Sequence, residues 1–117
     1  MMRKLLRATL PLTVALSLAA GFAAAEEPKT LLGKWMKPNM GAPLAGQDFD
    51  TLKASLTLVA SKPPPGNYPN WASFANDGAA AAAKQDIKGV KASCKSCHDA
   101  YKKSYIDEFP PPKRPFP

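Results

Sequence analysis

The stretch Cys94-Lys95-Ser96-Cys97-His98 holds both cysteines and the only histidine of the 117-residue chain. Any fold must put two thiols and one imidazole on about one turn of backbone and give that turn something to face. A structural disulfide, a thioredoxin-like redox pair and a partial zinc site are the ordinary uses of a Cys-x-x-Cys pair. A redox pair belongs at a strand-to-helix turn of a βαβ unit, and zinc takes further Cys or His ligands. The sequence offers neither. A histidine directly after the second cysteine points instead to covalent attachment of a c-type haem, with Cys94 and Cys97 as thioether tethers and His98 as the proximal iron ligand.

Residues 1–25 have the layout of a secretory signal: Arg3, Lys4 and Arg7, an apolar run from about Ala8 to Phe22, then Ala23-Ala24-Ala25 ahead of Glu26-Glu27. The run contains Pro11, Thr13, Ser17 and Gly21 and is short beside the ~20 strongly apolar residues of a membrane span. Cleavage before Glu26 is therefore expected, rather than retention as an anchor. No second apolar run follows, so the mature form is expected to be soluble, without a membrane span, in the periplasm. That location agrees with the motif, because bacteria attach haem covalently outside the cytoplasmic membrane.

Removing 25 of 117 residues leaves 92, enough for one small domain whose own core is marginal. A bound prosthetic group is a common remedy. Thirteen of the sixteen basic residues remain beside all nine acidic ones, a formal charge of +4 that is mild for a nucleic-acid binder. No nucleic-acid partner is expected.

Periodicity divides the rest into helices. Leu32, Trp35, Met36 and Met40 share one helical face, and Pro38 is expected to kink or end that helix near Lys37, with a loop over Gly41 to Gly46. Asp48 can cap a second helix carrying Phe49, Leu52, Leu56 and Val59. The proline-rich stretch Lys62 to Pro69 reads as a turn or extended crossing. Asn70 can cap a third helix lined by Trp71, Phe74, Ala75, Gly78 and Ala82, whose small residues admit either another helix or a flat ring. Asp86 can cap the last helix, with Ile87, Val90, Cys94, Cys97, His98, Tyr101 and Tyr105 facing inward. A domain over 26–109 and a Pro-rich tail over 110–117, extended or mobile, complete the division. With no alternating strand patterns, the reading is all-α, an antiparallel four-helix bundle enclosing one haem.

The second axial position can be approached by elimination. With no other histidine, the candidates are methionine, less commonly lysine, or an open site. The mature chain has two methionines, Met36 and Met40, both upstream of the motif. Either could equally fill core space. Trp35, Trp71, Phe74 and Tyr101 are core aromatics by default, with a contact to the ring edge as the other use.

A signal peptide, the Met36-Lys37 step on the first helix and the C-terminal pattern from Cys94 through Cys97-His98 and Tyr101 to Lys102 together resemble the class II c-type cytochromes. That group comprises the cytochrome c prime proteins and their low-spin, methionine-ligated relatives. The resemblance spans most of residues 30–105. It implies a four-helix bundle with one haem, the distal residue from the first helix and the proximal histidine from the last. Met36 matches the low-spin branch's ligand, with Met40 in reserve; in the other branch the iron is five-coordinate. Lys102 stands where the family usually has arginine, and Pro38 where its first helix normally runs on.

The function expected is single-electron transfer between redox proteins, without enzymatic turnover. The alternative is a five-coordinate haem binding a small gas such as nitric oxide. Lys88, Lys91, Lys95 and Lys102 form a stripe beside the motif, either a solvated flank or a surface for an acidic redox partner. The resemblance also implies a homodimer through the first two helices.

Overall fold

A computed structural model describes residues 27–117; the expected signal peptide lies outside the described residues. Among these residues there are helices and connections, with no strand. Helix α1 covers Leu31–Met36, a π-helical turn covers Lys37–Gly41, α2 covers Ala42–Gly46, α3 Phe49–Ala60, α4 Trp71–Ala83 and α5 Ile87–Glu108. No helix among them is long and apolar enough to cross a membrane.

The first three elements run on without a break, so the helix does not end at Pro38 and no loop forms over Gly41 to Gly46. The expected stop is overturned because the backbone widens. Proline removes an N–H and crowds the carbonyl four residues back. In the π-helical turn the Ala42 N–H reaches past the α-helical position to the Lys37 carbonyl. The Asn39 side-chain amide donates to the Trp35 carbonyl at 2.9 Å, giving that oxygen a partner. The rod starts at Thr30, whose Oγ1 accepts from the Gly33 N–H at 2.9 Å.

Two of the three expected caps are present. Asp48 accepts from the Thr51 N–H at 3.2 Å and Asp86 from the Gly89 N–H at 3.0 Å. Asn70 is different: it sits in the left-handed region at φ 70°, and its side chain caps nothing. Only its backbone carbonyl serves α4, accepting from the Phe74 N–H at 2.9 Å. Asparagine tolerates that conformation better than most residues, so Asn70 turns the chain into α4 rather than capping it.

Helix α3 packs on α4, α4 on α5, and the first rod on α3. Leu52, Leu56 and Val59 meet Ala75, Ala79 and Val90 in the core, with Leu52 and Val90 almost wholly enclosed. Each such side chain stabilises the fold by about 1.5–3 kcal/mol. The small residues of α4 serve helix packing. A Cβ on Gly78 would stand 2.8 Å from Ser93 Oγ of α5 and 3.1 Å from Leu56 Cδ1 of α3, so three helices converge there.

The tail does not extend away. A turn brings the Lys113 N–H to the Pro110 carbonyl at 2.9 Å, and the chain folds back over α5. The Arg114 guanidinium donates to the Tyr105 hydroxyl at 2.6 Å and to the Lys62 carbonyl. It also lies 5.9 Å from the ring of Trp71 and 5.5 Å from that of Tyr105. Phe116 meets Trp35 edge-on at 4.8 Å, joining the tail to α1. Proline-rich composition reads as mobile chain, but one cation over aromatic faces and one half-buried aromatic edge contact hold it. Replacing Arg114 by Ala is expected to cost about 1–2 kcal/mol and to lower the thermal midpoint by roughly 4–8 °C per kcal/mol. An unchanged midpoint by circular dichroism would show that the tail is not anchored through this residue.

Candidate ligand cleft

A cleft of ≈ 270 Å³ opens between α1 and α5, close to the lower end of the ~300–1,000 Å³ found for small-molecule sites. Leu32, Gly33 and Met36 of α1 form one wall. Cys97, His98, Tyr101 and Tyr105 form the other, with Trp71 between them. These positions follow from helix geometry: Cys97, Tyr101 and Tyr105 stand four residues apart on one stripe of α5, and His98 lies beside it.

Trp71 is fixed twice. It is buried, and its indole N–H donates to the Val59 carbonyl at 2.9 Å. Its ring stacks on Tyr105 at 5.7 Å with the planes 25° apart. Tyr101 is held by a hydrogen bond from its hydroxyl to the Pro69 carbonyl and by an edge contact with Phe74 at 6.1 Å. The apolar part of the cleft is thus rigid on the side of α4 and α5. Charge enters through Lys29 and Lys102.

Of the residues singled out in the sequence, Met36, Cys97 and His98 meet in this cleft. Met36 is half-buried on the first wall; Met40 is buried in the core and does not line the cleft. Cys94 lies one turn before Cys97, half-buried and packed against the core, and no disulfide joins the two. Among the described residues no three His, Cys, Asp or Glu side chains gather as a metal-holding group, so the motif does not close into a zinc-type site. Trp35 sits away from the cleft, against Phe116. The lysine stripe is exposed, and Lys95 is paired with Asp99 at 2.7 Å, which partly neutralises its centre.

Sequence reasoning passed over Lys29 and Thr30, which line the cleft ahead of α1, and Tyr68 behind it. The spacing of Thr30 and Gly33 was a cap signal, and a lone aromatic in a proline-rich loop was a sign of anchoring.

Burial raises the pKa of the Cys94 thiol and pushes that of Cys97 up to about 11, the nearby Cys94 adding to the effect. His98 is the most exposed of the three, yet loss of solvent and then the Lys102 charge lower its pKa, with Asp99 opposing. At neutral pH the motif therefore presents two protonated thiols and a neutral imidazole with a free lone pair.

Compared with protein-family models, curated proteins and solved structures, the chain matches none. Its chemistry is the guide to its role.

In the folded chain with both thiols free, iodoacetamide at neutral pH is expected to modify Cys97 about a hundredfold more slowly than in the urea-unfolded chain. Moving the thiol from its ordinary 9.0 to about 11 reduces the reactive thiolate by that factor. Equal rates by mass spectrometry would contradict the burial of this thiol.

Proposed function

We propose that this chain is a periplasmic monohaem c-type cytochrome, an antiparallel four-helix bundle that carries single electrons between redox proteins. The observation carrying this reading is that Met36 of the first helix shares one largely apolar cleft with Cys97 and His98 of the last.

The residues suit a covalently attached haem. Cys94 and Cys97 are unpaired thiols one turn apart on α5, suited to form two thioether bonds. His98 is neutral at working pH, so its lone pair is available to iron without prior loss of a proton. Met36 would offer a thioether from the facing helix, a donor that raises the potential of haem iron. Leu32, Trp71 and Tyr105 exclude water from the interior side. Lys29 and Lys102 give the cleft the positive charge that ring carboxylates would pair with. A haem so held would supply a one-electron iron couple, while the protein fixes its orientation and surroundings. With His98 and Met36 both holding the iron there would be no place for substrate, so the role would be transfer rather than turnover.

Weak encounters with acidic redox partners fit the exposed Lys88, Lys91 and Lys102 beside the cleft-bearing face of α5. The exposed sides of the first rod and α3 would serve a homodimer. The five-coordinate, gas-binding reading would leave Met36 as cover, with Leu32 and Gly33 beside it on the same wall.

The experiment is an absorption spectrum of the oxidised protein from a host that matures c-type cytochromes. A low-spin Soret band with the weak far-red band of thioether-bound ferric iron is expected. Met36→Ala should abolish the far-red band. Met40→Ala should leave it intact while costing about 2–5 kcal/mol of stability, because Met40 is core. A high-spin spectrum in the parent protein favours gas binding, and protein bearing no tetrapyrrole mass refutes both readings.

A further inference from the structure

All three tyrosines of the chain and Trp71 form one aromatic cluster at the back of the cleft. Tyr68 lies 5.1 Å from Tyr101, 5.8 Å from Trp71 and 6.3 Å from Tyr105, measured between ring centres. Trp71, Tyr101 and Tyr105 line the cleft; Tyr68 stands behind them, buried.

The three hydroxyls have different partners. That of Tyr101 donates to the Pro69 carbonyl, an amide oxygen that does not take up a proton near neutral pH. That of Tyr105 accepts from the Arg114 guanidinium, whose charge opposes loss of an electron from both Tyr105 and Trp71. That of Tyr68 alone donates to a carboxylate, Glu108 at the end of α5. Removing one electron from a phenol makes its proton strongly acidic, so the step is easy only where a base stands within hydrogen-bond reach. Glu108 is such a base, and its exposure lets the proton pass on to water.

We propose that Tyr68 and Glu108 form a proton-coupled redox site, where an oxidising equivalent entering the cluster from the cleft comes to rest, away from Met36 and the bound cofactor. The cytochrome reading supplies only the oxidant's point of entry. A one-electron oxidant such as ruthenium(III) takes the electron from Tyr68 and is reduced to ruthenium(II), leaving the neutral phenoxyl radical. The Tyr68 proton moves to Glu108, which releases it to solvent. Burial and then Glu108 raise the Tyr68 pKa, while Arg114 acts in the opposite sense. The phenol therefore keeps its proton until the electron leaves.

The test uses the full mature protein, with haem content first measured by absorbance, and a photogenerated ruthenium(III) polypyridyl as the one-electron oxidant. Freeze-quenched electron paramagnetic resonance is expected to show a tyrosyl radical. Tyr68→Phe should remove most of that signal, and Glu108→Gln should weaken it markedly. Circular dichroism of each variant confirms folding. A ruthenium-generated signal that survives Tyr68→Phe overturns the proposal, as does unsubstituted protein that yields no tyrosyl radical. Haem-free protein refutes the cytochrome reading instead, and the ruthenium arm then decides the Tyr68 site by itself.

Discussion

The indole of Trp71 is where the packing of this molecule and its cleft depend on the same contact. Its N–H is satisfied by the Val59 carbonyl of α3, one face stacks on Tyr105 of α5, and Arg114 of the tail lies over the ring. A buried indole without its acceptor would carry an unpaired donor, so the end of α3, the start of α4 and the last turn of α5 are held in register by one side chain. Because Trp71 also lines the cleft, the interior wall is as rigid as the core.

The first helix contributes its geometry through a defect. Prolines at 38 and 43 would ordinarily split it into fragments, yet the wide turn over Lys37–Gly41 carries it through to Gly46. That turn also separates the two methionines. In an unbroken α-helix, residues four apart lie one above the other on the same face. Here the register slips between them, so that Met36 is left half-buried on the cleft wall while Met40 enters the core. π-helical turns recur at functional sites, and this one selects which thioether the cleft receives.

The C-terminal segment has a structural role that its composition hides. Eight residues rich in proline cannot form a helix or sheet, and by themselves have little reason to settle. Arg114 and Phe116 change this by contacts at long sequence separation, to Lys62, Tyr105, Trp71 and Trp35. The tail thereby ties α1 to α5 at the side of the cleft. It also places a cation on two of the four rings of the aromatic cluster, leaving Tyr68 with the only carboxylate partner.

The helices and their inward faces were legible in the sequence because they depend on local periodicity and on short-range caps. Leu52, Leu56 and Val59 on α3, Ala75, Gly78 and Ala82 on α4, and Val90 and Tyr105 on α5 are buried as their spacing requires. Asp48 and Asp86 start helices because an acceptor three residues before an orphan N–H is a local arrangement. The thiols and imidazole of Cys94, Cys97 and His98 were equally plain, since their chemistry resides in adjacent residues. What only the tertiary structure decided were matters of register and distance. These were the passage of a helix through Pro38, the turning of Asn70 into the left-handed region, the parting of Met36 from Met40, and the return of Arg114 and Phe116 onto rings far away in the chain. Each depends on backbone groups or side chains finding partners outside the local window, and such partners leave no periodic trace in the sequence.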